Sequence, residues 1–117
     1  MNVATSELPQ DIWLVEVNGR IDQTLTPQVE ENLVDLLHAG HHRLIVDLTQ
    51  ATYINSGGLR ALVSAWRRAR QHNGDVYLCG LNSRLSDIIS MVGFDKVFRI
   101  FPSCSEAQQA FPSATHP

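Results

Sequence analysis

The residues of this chain most suited to binding or chemistry are Asn55, Ser56, Gly57 and Gly58, a polar segment that follows an apolar run. Apolar residues at helical spacing begin at Leu59, so this Ser56 loop (residues 55–58) occupies the start of a helix. There, Asn55 or Ser56 caps the free amides, and the glycines permit a tight turn. Free N–H groups at a helix start also attract anions. The loop therefore predicts a helix cap, with an anion or nucleotide site as a second interpretation.

A second group of polar residues precedes the first predicted helix. We expect Asp22, Thr24 and Thr26 at the same end of the sheet as the Ser56 loop, where ligand and partner sites of open α/β folds collect. Loop hydrogen bonding and capping, with Thr26 as the helix cap, explain these residues equally well. Arg60 and three further arginines make the helix after the Ser56 loop basic. Such a pattern is typical of a solvated face or of a surface that docks onto an acidic partner.

Metal and catalytic chemistry find little support in the sequence. His38, His41 and His42 lie near the end of a predicted helix, but no neighbouring carboxylate or cysteine completes a ligand set. Cys79 and Cys104 have no C-x-x-C spacing, so we expect two reduced thiols, with Cys79 in the core. The sequence has no nucleophile-elbow, P-loop or dinucleotide fingerprint. We expect no enzyme, no bound metal and no cofactor.

Length and charge narrow the class of protein further. The 117 residues suit one domain, and 44% hydrophobic with 18% charged residues is an ordinary globular balance. A formal net charge of -3 provides no global positive field for nucleic acid or anionic lipid. The sequence shows no basic-then-apolar leader and no run of roughly 20 apolar residues. We therefore expect a cytoplasmic protein that binds neither nucleic acid nor membrane.

Strand and helix patterns alternate along the chain. A hairpin opens it, with Asn18-Gly19 as a turn signal, and a buried stripe of a later helix runs from Leu85 to Val92. The predicted strands cover 2–8, 12–17, 44–48, 76–79 and 97–101, and a last short helix covers about 105–111.

These elements predict an α/β fold with one domain over residues 1–111 and a flexible tail over 112–117. The expected sheet is mixed, with four to five strands that are mostly parallel after the opening hairpin. About four helices accompany it, mainly on one side. The strand at 44–48 is apolar enough to be covered on both faces, so it should be central.

The stretch 46–62, VDLTQATYINSGGLRAL, resembles the signature of the STAS family, in which a strand ending in Val-Asp-Leu is followed by a loop of the Ile-Asp-Ser-Ser-Gly-Leu type. Similar stretches are VNGRID at 17–22, VYLCG at 76–80, and VGFD with VF at 92–98. The resemblance covers roughly residues 3–111 in the expected order of elements. It implies a STAS-like fold and a role of the anti-sigma factor antagonist type.

In that family, the loop before the second helix contacts an anti-sigma factor that is also a serine kinase, and phosphorylation of a loop serine releases the partner. Here Asn55 replaces the usual Asp, Ser56 takes the place of the first Ser, and Gly57 stands where the commonly phosphorylated Ser is found. Either Ser56 is the acceptor, or the chain is never phosphorylated and binds constitutively. A phosphoserine adds about -1.5 to -2 charges, which a helix start tolerates but a complementary interface does not.

The resemblance therefore implies a regulatory protein, monomeric or weakly dimeric, that binds an anti-sigma factor or serine kinase in a partner-switching pathway. The candidate phosphorylation site is Ser56. The predicted contact surface consists of Asp22, Thr24, Asn55, Ser56, Gly57, Gly58, Leu59 and Arg60. Two alternatives stay open: a small-molecule or nucleotide-binding sensor, and a scaffold module of a larger regulatory complex.

Overall fold

The computed structural model describes residues 2–113, which form a five-stranded mixed sheet with four α-helices. The elements are, in chain order, β1 Asn2–Leu8, β2 Ile12–Ile21, α1 Thr26–His38, β3 Arg43–Ile54, α2 Ser56–Gln71, β4 Asp75–Cys79, α3 Ser83–Met91, β5 Ile100–Phe101 and α4 Cys104–Ala110. This architecture confirms the predicted α/β class. None of the helices between residues 2 and 113 has the length and apolar character that crossing a bilayer requires.

The strands lie in the sheet in the same order as in the chain, from β1 to β5. β1 and β2 form an antiparallel hairpin, and the three remaining pairs are parallel. β3 is therefore the central strand, as predicted. Helices connect the parallel strands from β2 to β4, because a parallel pair needs a crossover of a dozen or more residues.

The opening hairpin differs from its predicted shape at β2. The chain reverses at Pro9–Asp11, a short 3-10 turn. The turn predicted at Asn18-Gly19 is wrong, because β2 continues to Ile21 with register shifts against β3 beside these residues. Gly19 has a φ of 118°, which favours glycine, and this conformation accompanies the register shift within the strand.

β3 is longer than the predicted strand at 44–48. Its first part pairs with both β2 and β4, but from Gln50 to Ile54 it pairs with β2 alone. Thr49 and Gln50 are exposed where β3 leaves β4. Because these two residues are polar, the apolar pattern in the sequence did not predict that the strand continues past residue 48. The extension carries the chain to Ile54, which lies beside Ile21 at the end of β2.

The two faces of the sheet have separate cores. α1, α2 and α3 cover one face, and α4 covers part of the other, so the helices lie mainly on one side as predicted. Core residues on the first face include Val15, Val46 and Leu78 from the sheet and Leu33, Leu62 and Ile89 from the helices. Those on the second face are Ile12, Ile45, Tyr77, Cys79, Ala107 and Phe111.

The segment between α3 and α4 departs from prediction. Gly93, with a φ of 78°, follows α3, and the next residues form the 3-10 turn Phe94–Lys96. This turn leaves a strand of only two residues where five were predicted. Val92 was predicted in the buried stripe of α3 but is 47% exposed, because the helix ends at Met91 before that position can face the core.

Only the beginning of the predicted C-terminal tail is described. The carbonyl oxygen of Pro112 accepts a hydrogen bond from Arg43 Nη2 at 2.6 Å, and Ser113 is the last described residue. The remaining positions of that tail, 114–117, lie outside the described residues. The boundary at residue 111 stays a prediction.

Shortening a side chain on the core-facing side of α2 should lower the free energy of unfolding far more than shortening one on its outer side. Leu62 is 1% exposed and Ser64 is exposed on the same helix. We expect Leu62→Ala to lower the free energy of unfolding by about 2–5 kcal/mol, because it removes apolar contacts and leaves a cavity. Ser64→Ala, the matched control, should change it by less than about 0.5 kcal/mol. Urea unfolding followed by circular dichroism measures both; equal effects would contradict the described packing.

Candidate functional site

The ends of β2 and β3 lie side by side and bring two loops together. Ile21 pairs with Ile54, and the backbone N–H of Asn55 donates to the carbonyl oxygen of Ile21 at 2.9 Å. The chain then enters α2 after β3 and the loop before α1 after β2. The segment with Asp22 and Thr24 therefore adjoins the Ser56 loop, as the sequence predicted.

Asn55 is the cap of α2 and also its link to α1. Its Oδ1 accepts the backbone N–H of Gly58 at 2.8 Å and the hydroxyl of Thr26 at 3.0 Å. Thr26 was predicted to cap α1, but it is the first residue of that helix and its hydroxyl goes to Asn55 instead. One amide oxygen thus fixes the starts of two helices relative to each other.

Asp22 organises the loop before α1. Its Oδ1 accepts the backbone N–H of Thr24 at 2.9 Å and that of Leu25 at 3.3 Å, and its carbonyl oxygen accepts the N–H of Thr26 at 2.9 Å. These bonds are typical of an Asx turn, in which a side chain takes the place of a backbone acceptor. Asp22 is half-buried, whereas Thr24 is exposed and available for contact with another molecule.

The two glycines of the Ser56 loop differ in the space around them. A Cβ on Gly58 would lie 2.7 Å from Ile54 Cγ1 and 2.8 Å from Ile21 Cγ2, so the core excludes any side chain there. A Cβ on Gly57 would lie 3.3 Å from the Thr26 methyl group and 3.7 Å from an Arg60 guanidinium nitrogen. Position 57 therefore accepts a small side chain with slight adjustment, and Gly58 is required by close packing.

Ser56 is the first residue of α2 and is exposed. Its hydroxyl stands at the positive end of a 16-residue helix, where free N–H groups favour an anion. The exposed side chain of Arg60 reaches back over the same turn. Leu59, in contrast, is buried at 9% exposure, so it supports the site from within and offers little surface for contact.

α3 begins in the same way as α2. The side chain of Asn82 accepts the backbone N–H of Leu85 at 2.8 Å, and Ser83 is the exposed first residue of the helix. The two starts differ at the second and third helical positions, which are Gly57 and Gly58 in α2 and Arg84 and Leu85 in α3.

A shallow depression of about 340 Å³ continues the site along α2. Its lining consists of Arg60, Val63, Ser64, Arg67 and Phe94. Phe94 lies in a chain segment, residues 91–97, that carries all the exposed large apolar side chains of the described part of the chain. They are Met91 at 85%, Val92 at 47% and Val97 at 36%. Sequence reasoning missed this apolar surface because it placed Val92 and Val97 in regular, core-facing elements.

Two of the three histidines noted in the sequence, His41 and His42, have structural partners. His41 Nδ1 lies 2.9 Å from an Asp11 carboxylate oxygen, and the His41 ring packs against Trp13 at 4.6 Å between centroids. His42 stacks on His72 at 4.2 Å. Burial, followed by the neighbouring His72, lowers the pKa of His42 below its usual range. The arrangement ties the loop after α1 to neighbouring elements.

Comparison with known proteins identifies the family. The STAS domain model matches residues 4–107, nearly the whole chain. This chain belongs to the STAS domain family. An anti-sigma-B factor antagonist of Staphylococcus epidermidis is 27% identical to this STAS domain over 90 residues, which cover 77% of this chain and 83% of that protein.

Solved structures of STAS-fold proteins share this architecture. An anti-sigma factor antagonist from Mycobacterium paratuberculosis superimposes with a TM-score of 0.85 at 21% identity, covering 93% of this chain and 92% of that one. The phosphorylated form of the Bacillus cell fate determinant SpoIIAA superimposes with a TM-score of 0.74 at 12% identity, covering 92% and 96%. At these identities the likeness establishes the fold. The predicted STAS resemblance is confirmed, and the roles of the individual site residues stay predictions.

Adding one methyl group at each glycine of the Ser56 loop should separate their roles. We expect Gly58→Ala to lower the free energy of unfolding by about 1–3 kcal/mol, because the new Cβ overpacks against Ile21 and Ile54. Gly57→Ala should stay within about 0.5 kcal/mol, since the helical gain of alanine offsets a mild contact with Thr26. Urea titrations of both variants test this; a well-tolerated Gly58→Ala would contradict the close packing.

Proposed function

We propose that this STAS domain binds an anti-sigma factor or serine kinase through the Ser56 loop and α2, and that phosphorylation of Ser56 releases that partner. The observation that carries the proposal is the exposed serine hydroxyl at the first position of α2, beside the depression along that helix. Family membership supplies the class of partner, since relatives such as that of Staphylococcus epidermidis are named anti-sigma factor antagonists.

The surface around Ser56 has the composition of a contact patch. Arg60 and Arg67 provide positive charge, while Val63 and Phe94 provide apolar area. An apolar centre with a polar, charged rim is the usual anatomy of a protein interface. Positive charge along α2 favours a partner that presents acidic groups. Asp22 and Thr24 extend the proposed surface at the end of the sheet.

A phosphate on Ser56 would leave the domain folded and change only what docks on it. The start of α2 and the Arg60 side chain both favour an added anion at this point. The same group adds bulk and about two negative charges to the contact surface. A partner with acidic groups facing α2 would therefore be repelled without any change in the fold.

The glycine at position 57 restricts where the phosphate can go. The hydroxyl usually modified in the family is missing there, and the neighbouring Ser56 is exposed. Ser56 is thus the proposed acceptor, and SpoIIAA, solved in a phosphorylated form, is a precedent for phosphorylation within the fold. The protein would work in the cytoplasm as a monomer or weak homodimer, without nucleic acid, membrane or cofactor.

Introducing a negative charge at position 56 should strongly weaken partner binding. Tagged wild-type protein incubated in lysate of its native host should retain an anti-sigma factor or serine kinase, identified by mass spectrometry. Ser56→Asp should reduce that retention at least about tenfold, because the carboxylate mimics part of the phosphate charge.

Ser105→Asp is the matched control for that experiment. Ser105 is an exposed serine in the first turn of α4, which lies on the opposite face of the sheet. This variant should bind as wild type, and both variants should keep the wild-type circular dichroism spectrum. Equal retention by Ser56→Asp, or no such protein captured by the wild type, would contradict the proposal.

Moving the hydroxyl by one position should test the choice of acceptor. With the captured kinase, Mg²⁺ and ATP, intact-mass analysis should show one phosphate on the wild type and none on Ser56→Ala. The double variant Ser56→Ala/Gly57→Ser should regain it, because position 57 has room for a small side chain. Phosphate on Ser56→Ala alone would place the acceptor elsewhere.

A further inference from the structure

The two cysteines, which have no motif spacing in the sequence, are in direct contact. Cys79 is the last residue of β4 and fully buried, and Cys104 is the half-buried first residue of α4. Their sulfur atoms lie 2.8 Å apart, although the residues are 25 positions apart in the chain. The two side chains pack in the second core, and their contact has no role in the proposed partner binding. The pair lies on the sheet face opposite α2.

A row of aligned strand residues places the thiol pair beside an acidic group. Glu16, Asp47 and Cys79 are register partners across β2, β3 and β4, so their side chains emerge on the same face of the sheet. A carboxylate oxygen of Asp47 and both sulfur atoms lie within 4.8 Å of one another. The same carboxylate accepts the backbone N–H of Thr49 at 2.9 Å. Three groups that could bind a metal therefore meet at the end of β4.

The separation of the sulfurs distinguishes a disulfide from a metal site. Two thiolates held about 2.3 Å from a tetrahedral zinc ion stand about 3.8 Å apart. The observed 2.8 Å is shorter than this and shorter than the about 3.5–4.0 Å at which carbon atoms pack. A disulfide needs about 2.05 Å, which the pair reaches by moving less than an ångström. The geometry favours a covalent bond between the sulfurs over a shared ion.

The surroundings of the two sulfurs indicate which one reacts first. Cys104 is half-buried and so is reachable from solvent, whereas Cys79 is covered. Burial raises the pKa of both thiols; at Cys104 the hydrogen bond from Cys79 lowers it, but the neighbouring Asp47 carboxylate raises it again. Because peroxide in solution reaches Cys104 and not Cys79, Cys104 is the nucleophile, and Cys79 is positioned to resolve what forms on it.

We propose that Cys79 and Cys104 are an oxidation site, a dithiol that peroxide converts to an intrachain disulfide. The Cys104 thiolate attacks one peroxide oxygen, the O–O bond breaks, and hydroxide leaves and combines with the proton that Cys104 released. The Cys79 sulfur then attacks the sulfur of the resulting sulfenic acid, the S–O bond breaks, and the departing hydroxide takes the Cys79 proton as water. Two thiols and one peroxide yield one disulfide and two waters.

The bond would tie α4 to the sheet. α4 is a short helix of seven residues that carries Ala107 into the second core, just before Phe111. A cross-link at its first residue restricts the unfolded chain over the segment between the two cysteines, which stabilises the folded state. The Ser56 loop lies across the sheet from this helix. Oxidation should therefore change stability whether or not the proposed partner binding is correct.

The test is a count of free thiols in the full chain before and after treatment with hydrogen peroxide. The protein is treated, quenched with catalase, denatured and alkylated with N-ethylmaleimide before intact-mass analysis. Untreated protein should take up two adducts; treated protein should take up none, weigh two hydrogen atoms less and remain a single chain on a non-reducing gel. Its melting temperature should rise by roughly 5–15 °C and return to the starting value with dithiothreitol.

Two single variants and a metal control complete the experiment. Cys104→Ser and Cys79→Ala each remove one sulfur and should show no peroxide-dependent rise in melting temperature; Cys79→Ala keeps the buried position apolar. Two adducts persisting in treated wild type would overturn the proposal, as would a disulfide between two chains. The metal control adds equimolar Zn²⁺ alone. If Zn²⁺ protects both thiols from alkylation and peroxide forms no disulfide, the proposal is overturned in favour of a metal site with Asp47.

Discussion

The missing side chain at Gly58 is the constraint on which the site depends. The space that a Cβ would need is filled by Ile21 and Ile54, so α2 starts in direct contact with the ends of β2 and β3. Because those two strand ends are in register with each other, the start of α2 is fixed against the sheet. Asn55 then joins α2 to α1 through Thr26. These contacts place Ser56 at the surface, at the first position of α2.

The chemistry of the cap adds to this geometry. The cap of α2 is the neutral Asn55, where the family usually has an acid. An aspartate at that position would already place a negative charge at the positive end of the helix, whereas an amide leaves that end uncompensated. The start of α2 thus keeps its preference for an incoming anion. The neutral cap and the proposed acceptor serine beside it are consistent with each other.

The sequence predicted those parts of the fold that have strong local signals. An apolar, β-branched run identified the central strand, and a polar residue followed by glycines identified the start of α2. Contacts between distant residues had no such signal: Thr26 meets Asn55 across 29 positions, and Cys79 meets Cys104 across 25. The second half of β3 was not predicted because it begins with exposed polar residues. Val92 fits the helical spacing of α3, but the helix ends one residue earlier, at Met91. Local periodicity cannot report where a helix stops for reasons of packing.

The matching starts of α2 and α3 have a consequence for selectivity. An enzyme that reads only an exposed serine after a capping asparagine meets two equivalent substrates in this domain, Ser56 and Ser83. Discrimination must then come from what surrounds each helix start. Ser56 has the α1 loop beside it and is followed by two glycines, whereas Ser83 is followed by the exposed side chain of Arg84. An enzyme that modifies Ser56 alone must therefore recognise more than an asparagine followed by a serine: it must recognise the glycines after Ser56 or the α1 loop beside it.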